Sequence, residues 1–181
     1  MDGAANNGKG IVVDYDRSDI ASSLTPDARL CLDYWSDLRG DRLAPAWREF
    51  DWLRIPPKII PFFGVVDVTV DPLEFVYRFW GSAHAQAHHQ ELTGKPVSAI
   101  RPQAEAESVF NQYKETLDAR RPLLFANTIR TGLMKIPATE ISLRLPFSND
   151  GSAIHHIVAF SDIRKDLDRM KKAFTDLTPD D

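Results

Sequence analysis

The sequence predicts an α+β fold: a five-stranded antiparallel sheet with helices on one face and a further helix at each end. Three observations carry this expectation. Apolar and polar residues alternate with period two through residues 64–81, on either side of Asp71-Pro72. Three more strand-like stretches follow one another between residues 122 and 160. Apolar residues recur at helical spacing in segments 25–40, 102–120 and 163–177. Consecutive strands joined by short turns pair antiparallel, and helices segregated from such a sheet make an α+β architecture.

Residues 1–24 read as a loosely structured N-terminus, with at most a short strand at 11–15. The first helix is well punctuated: Thr25 suits the N-cap, Pro26 the first helical position and Gly40 the stop. Its stripe is Ala28, Cys31, Trp35 and Leu38, widened by Tyr34. Segment 41–61 is punctuated by Pro45, Pro56, Pro57 and Pro61, yet Trp47, Phe50, Trp52 and Ile55 all require burial, so it is not a linker. In the hairpin, Val66, Val68 and Val70 share a face, as do Leu73, Phe75, Tyr77 and Phe79. A four-residue loop around Asp71-Pro72 pairs Val70 with Phe75, Val68 with Tyr77 and Val66 with Phe79. A short helix at 82–91, capped by Ser82, ends at Gly94. The second long helix, 102–120, presents Ala106, Val109, Phe110, Tyr113 and Leu117. Strands follow at 122–130, 135–147 and 154–160, with Asn149-Asp150-Gly151 as the last turn. In the middle one, Ile141, Leu143, Leu145 and Phe147 alternate with Glu140, Ser142 and Arg144. Finally, Ile163, Leu167, Met170, Phe174 and Leu177 form the seam of an amphipathic helix.

Composition bounds the function. The chain has 181 residues, 43% apolar and 27% charged, enough for one soluble domain with a core. A net charge of −4 gives no electrostatic case for nucleic acid or an anionic membrane. Cys31, the single cysteine, excludes an internal disulfide and suits a reducing compartment, and its place on the helical stripe marks it as a small buried hydrophobe. The polar N-terminus lacks a secretion signal, and the run 59–70 is broken by Pro61, Gly64 and Asp67, so the expectation is a cytoplasmic protein without a membrane span.

Two motif blocks resemble a subfamily of PAS domains found in short stand-alone bacterial proteins. The first is Leu32-Asp33-Tyr34-Trp35 with Leu38-Arg39-Gly40, Pro45, Arg48 and Asp51. The second is Phe79-Trp80-Gly81-Ser82 with Glu91-Leu92-Thr93-Gly94-Lys95, similar to that subfamily's Gly-Thr and Leu-Thr-Gly-Arg elements. Ser82 stands for the usual Thr, Lys95 for Arg, and Glu49-Phe50 for a more acidic-aliphatic pair. The resemblance covers residues 28–162, and the order of elements agrees with it. It implies a PAS-like domain over 25–162, flanked by the N-terminus and by a C-terminal helix and tail at 163–181. It also implies a non-enzymatic sensory or interaction module whose cavity accepts a small molecule and whose signal passes by association through the terminal helices. With the sequence ending at Thr178-Pro179-Asp180-Asp181, no output domain is expected to follow. The cofactor is unknown, and the expected partner is a second copy or a signalling protein.

The candidate ligand pocket is Tyr77 and Phe79 from the hairpin, His84 from the short helix and Tyr113 from the long one; polar-tipped aromatics orient a ligand in an apolar cavity, and an ordinary aromatic core is the plain alternative. The candidate dimer or partner surface is Tyr34, Trp35, Leu167, Met170 and Phe174, the plain alternative being packing on the chain's own sheet. His84 and His88, four apart, open a haem or metal-sensor reading, but no HExxH or third ligand accompanies them, so no metal site is assigned. A third reading is a small cone-fold isomerase or dehydratase, which needs a buried Asp–His pair facing the sheet; Asp67 is the nearest candidate, and parity puts it on the other face. No nucleophile elbow or phosphate-cradling loop occurs, so no catalytic residue is assigned.

Overall fold

The computed structural model describes residues 11–132 and 134–175. It is an α+β fold with one antiparallel sheet of six strands, one more than expected. The strands are β1 (Ile11–Ser18), β2 (Phe63–Thr69), β3 (Glu74–Trp80), β4 (Leu123–Thr131), β5 (Ala138–Phe147) and β6 (His156–Asp162), in the spatial order β1-β4-β5-β6-β2-β3. The helices are α1 (Ile20–Ser23), α2 (Pro26–Arg39), α3 (Ser82–His88), α4 (Gln103–Ala119) and α5 (Leu167–Thr175).

The extra strand is β1, which is longer than the short strand allowed at 11–15 and, with α1 after it, corrects the reading of this segment as loose. It pairs with β4 over its full length, from Ile11 opposite Thr131 to Ser18 opposite Leu124. Ile11, Val13 and Tyr15 turn inward, while Val12, Asp14 and Asp16 face outward, the two carboxylates fitting a sheet edge. Glu115 of α4 ties the strand down, accepting from Tyr15 Oη at 2.8 Å and from Arg17 Nε at 2.6 Å.

The β2–β3 hairpin has its four-residue loop, but one residue earlier than expected, at 70–73. Thr69 faces Glu74, Val68 faces Phe75 and Val66 faces Tyr77. The slip is even, so Val66, Val68, Phe75 and Tyr77 keep their common inward face. Val70 falls in the loop and is exposed. A β-bulge then breaks the parity. Val65 pairs with Phe79 while Val66 pairs with Tyr77, so Arg78 is the extra residue on β3. Phe79 is thereby turned to the opposite face, where its ring lies 5.0 Å from that of Trp52.

Both faces of the sheet are covered, not one. Over one face, the ring of Phe75 meets those of Phe110 and Tyr113 of α4. Over the other lie α2 and the proline-punctuated segment: Trp35 Nε1 donates to the Pro146 carbonyl at 2.7 Å, and Trp47 and Phe50 pack on Phe147. The caps of α2 are the expected ones, with Thr25 Oγ1 accepting from Ala28 N and Gly40 closing the helix at φ +54°. Helix α3 differs: Gly81, not Ser82, holds its N-cap position.

Gly81 is a steric requirement. A Cβ there would sit 2.2 Å from the Pro61 carbonyl oxygen and 2.7 Å from that of Phe63, both backbone atoms that cannot swing away. Gly81→Ala is expected to lower stability by about 2 kcal/mol or more, as overpacking does. Gly64→Ala, whose Cβ would meet its nearest neighbours at 3.6 to 4.0 Å, is the matched control. Urea titration checks this, and equal midpoints for the two variants would refute it.

Candidate functional site

The inner face of the sheet, α3 and α4 enclose a narrow cavity whose free space is about 20 Å³. Gly64, Tyr77, Trp80, Ala159 and Ser161 come from β2, β3 and β6, His84 and His88 from α3, Glu105, Val109 and Tyr113 from α4, and Glu140 and Arg144 from β5. Three of the four expected pocket residues meet here: Tyr77, His84 and Tyr113. The fourth, Phe79, does not, because the bulge directs it to the far side of the sheet. Trp80 takes its place; its ring stacks on His84 at 4.8 Å and meets Tyr77 edge-on at 4.6 Å.

The lining is more polar than the sequence alone suggests. On α4 the buried residues include Glu105, Ser108, Gln112 and Thr116, a polar stripe at helical spacing. On β5 the polar set Glu140, Ser142 and Arg144 is buried as completely as the apolar set. The two stripes face each other and form an oriented chain. Arg144 Nη2 donates to Gln112 Oε1 at 3.0 Å, Gln112 Nε2 to Asn127 Oδ1 at 2.9 Å, and Asn127 Nδ2 to Glu140 Oε1 at 2.9 Å. Two amides thus separate a buried guanidinium from the carboxyl at the far end. The guanidinium also lies over the Tyr113 ring, 4.2 Å from its centroid.

Burial governs protonation here. It pushes the Glu105 carboxyl up to about 8, with the neighbouring Glu140 adding to the effect and Arg144 opposing it. Glu140 is likewise raised by burial. His84 is lowered to about 4 and His88 to about 3, again first by burial. At neutral pH Glu105 is therefore largely in its acid form, and both imidazoles are neutral. His84 Nε2–H donates to the Phe62 carbonyl at 3.1 Å, which leaves Nδ1 as the acceptor. Three buried polar atoms of the lining have no hydrogen-bond partner among the described residues: Arg144 Nε, Glu105 Oε2 and His88 Nδ1.

The other histidine readings resolve as follows. The rings of His84 and His88 are 6.2 Å apart, and no group of three His, Cys, Asp or Glu side chains able to hold a metal ion occurs among the described residues. An Asp–His pair does exist, on the opposite face: His156 Nδ1 and Asp67 Oδ1 are 2.8 Å apart. Both partners are already engaged, Asp67 by the Arg78 fork and His156 Nε2 by the Asn149 side chain at 3.1 Å. This is a cross-strand brace, away from the cavity. Burial pushes the Cys31 thiol up to about 12, consistent with a packing role.

The residues expected to form a partner surface are turned onto the chain itself. Trp35 is buried, and Tyr34 Oη accepts from Asp51 N at 2.8 Å. Met170 and Phe174 are buried and Leu167 is half-buried, in a small core with Ala83, Ala87 and Ile129. Leu177, the end of the seam, lies outside the described residues. The seam therefore docks α5 on α3: the Phe174 ring lies 4.5 Å from that of His88, and His89 Nε2 is 2.8 Å from Thr175 Oγ1.

Among the described residues no helix is long and apolar enough to cross a membrane. Comparison with known proteins finds no matching family description, no matching curated protein and no matching solved structure.

Proposed function

We propose that this chain is a PAS-like sensory module that acts by binding, not catalysis: a small molecule occupies the cavity and changes the docking of α5. The observation that carries the reading is the position of His88. Its ring belongs to the cavity wall and also packs against Phe174 of α5. An occupant that displaces α3 therefore acts directly on the terminal helix, biasing an equilibrium between docked and released α5. Released, the seam of Leu167, Met170 and Phe174 becomes available to a second copy or another signalling protein.

The arrangement of elements supports the family likeness. Without β1, the hairpin, then α3 and α4, then β4 to β6 follow the order that the sequence resemblance implies, with α2 and α5 as flanking helices.

The coupling can be tested without knowing the ligand. The Cβ of a residue replacing Gly64 would point at Tyr77 and Tyr113, so Gly64→Val places a permanent occupant in the cavity, and Gly64→Ala is the smaller control. Amide hydrogen exchange in α5 is expected to be about tenfold faster in Gly64→Val than in the control, with β1 and β4 unaffected. Unchanged exchange in α5 would end the proposal.

A further inference from the structure

We infer that the cavity is a site for a small planar monocarboxylate, held by the guanidinium of Arg144. This rests on the sensory reading above and names the class of ligand. Arg144 is buried, yet it forms none of the ion pairs within 4.0 Å found among the described residues. A buried cation is ordinarily neutralised by direct contact, because burial without a partner costs several kcal/mol, on the order of a strong hydrogen-bonded ion pair. Here the counter-charge is held at a distance. Gln112 and Asn127 stand between Arg144 and Glu140, and the Nε–H of Arg144 has no acceptor among the described residues. Such a fork is the group that matches a carboxylate.

The rest of the lining fits the same class. Glu105 Oε2, also without a partner there, belongs to a carboxyl that burial keeps largely as the acid at neutral pH. As an acid it donates O–H to a carboxylate and does not repel it. The neutral imidazoles of His84 and His88 add no competing charge. Trp80, Tyr77 and Tyr113 line the cavity with aromatic rings, which favours a flat body on the acid. The free space is about 20 Å³, so a flat body enters only by parting the walls, α3 among them, and a bulky one is excluded.

Benzoate and benzamide share a shape and differ in charge, so isothermal titration of the full chain with both is the decisive comparison. Benzoate is expected to bind at least about tenfold more tightly, because charge-assisted hydrogen bonds are the stronger ones. Gly64→Val, which fills the cavity, is expected to abolish binding of both. The paired variant Arg144→Met with Glu140→Gln, which removes the charge at each end of the Gln112–Asn127 chain, is expected to lose the preference for benzoate. Equal affinity for the two compounds overturns the carboxylate assignment while leaving the sensory reading in place. Benzoate binding that survives in Gly64→Val places the site elsewhere and overturns it too. So does the absence of benzoate binding at millimolar concentration. The sensory reading fails on a different measurement, the exchange of α5 amides.

Discussion

Arg144→Met is expected to destabilise the protein by about 3–5 kcal/mol, the range for removing one member of a buried charge pair. The cause is the carboxyl left behind. Burial pushes the Glu140 carboxyl up, and Arg144 and the hydrogen bond from Asn127 oppose that shift by favouring its charged form. Without the guanidinium it must take up a proton or remain an uncompensated charge. Gln112 Oε1 loses its donor as well. Glu140→Gln alone strands the guanidinium in the same way. Combined, the two substitutions remove both charges, and the amide that replaces the Glu140 carboxyl can still accept from Asn127. The double variant should therefore be more stable than Arg144→Met, with a coupling of about 2 kcal/mol or more in a double-mutant cycle. Urea unfolding of the four proteins measures it. Additive effects would mean that the two charges do not sense each other along the Gln112–Asn127 chain, and the account of a separated pair would fall.

The fold is legible where the signal is local. Thr25-Pro26 and Gly40 delimit α2 because capping is settled within one helical turn. The inward face of Val66, Val68, Phe75 and Tyr77 survives a displaced loop because an even slip preserves parity. Phe79 escapes the pattern because nothing at Arg78 advertises an extra residue in the ladder. The strand β1 is hard to see because the exposed Val12 interrupts its alternation and Asp14 and Asp16 are poor strand formers; its pairing with β4, more than a hundred residues away, supplies what its own sequence lacks. The site divides along the same line. Tyr77, His84 and Tyr113 can be found as aromatics with polar tips. Glu105, Glu140 and Arg144 cannot be found by alternation alone, which turns charged residues away from a core. Their burial is set by α4 lying over a strand whose other face is already covered by α2 and segment 41–62. One signal is available: Glu105, Ser108, Gln112 and Thr116 repeat at helical spacing, and a polar stripe on a helix facing polar residues on a central strand marks a buried polar site.

The same buried groups impose a maximum in stability near pH 6.5. The ordinary value of Glu105 is 4.5 and its folded value is about 8. Folding therefore favours its protonated form, and stability falls as pH rises from 4.5 through 8. The two histidines act in the other direction. From an ordinary 6.5 they are lowered to about 4 in His84 and about 3 in His88, so stability is lost as pH falls below 6.5. Between 4.5 and 6.5 the rising contributions of His84, His88 and the lowered His156 oppose the falling ones of Glu105 and the raised Glu140, so the climb toward 6.5 is shallow. Above 6.5 the histidines are neutral in both states, and Glu105 pulls stability down. At about 1.4 kcal/mol per pH unit, Glu105 alone removes about 2 kcal/mol between pH 6.5 and 8. Glu105→Gln keeps the shape and discards the titration. It should flatten the alkaline limb and steepen the acid limb, where Glu105 no longer opposes His84 and His88. Chemical denaturation across about pH 4.5–8.5, the span of these folded and unfolded values, tests both limbs. Parallel curves for the two proteins would show that Glu105 is ionised in the folded state at neutral pH, and its carboxyl could then not donate to an anion in the cavity.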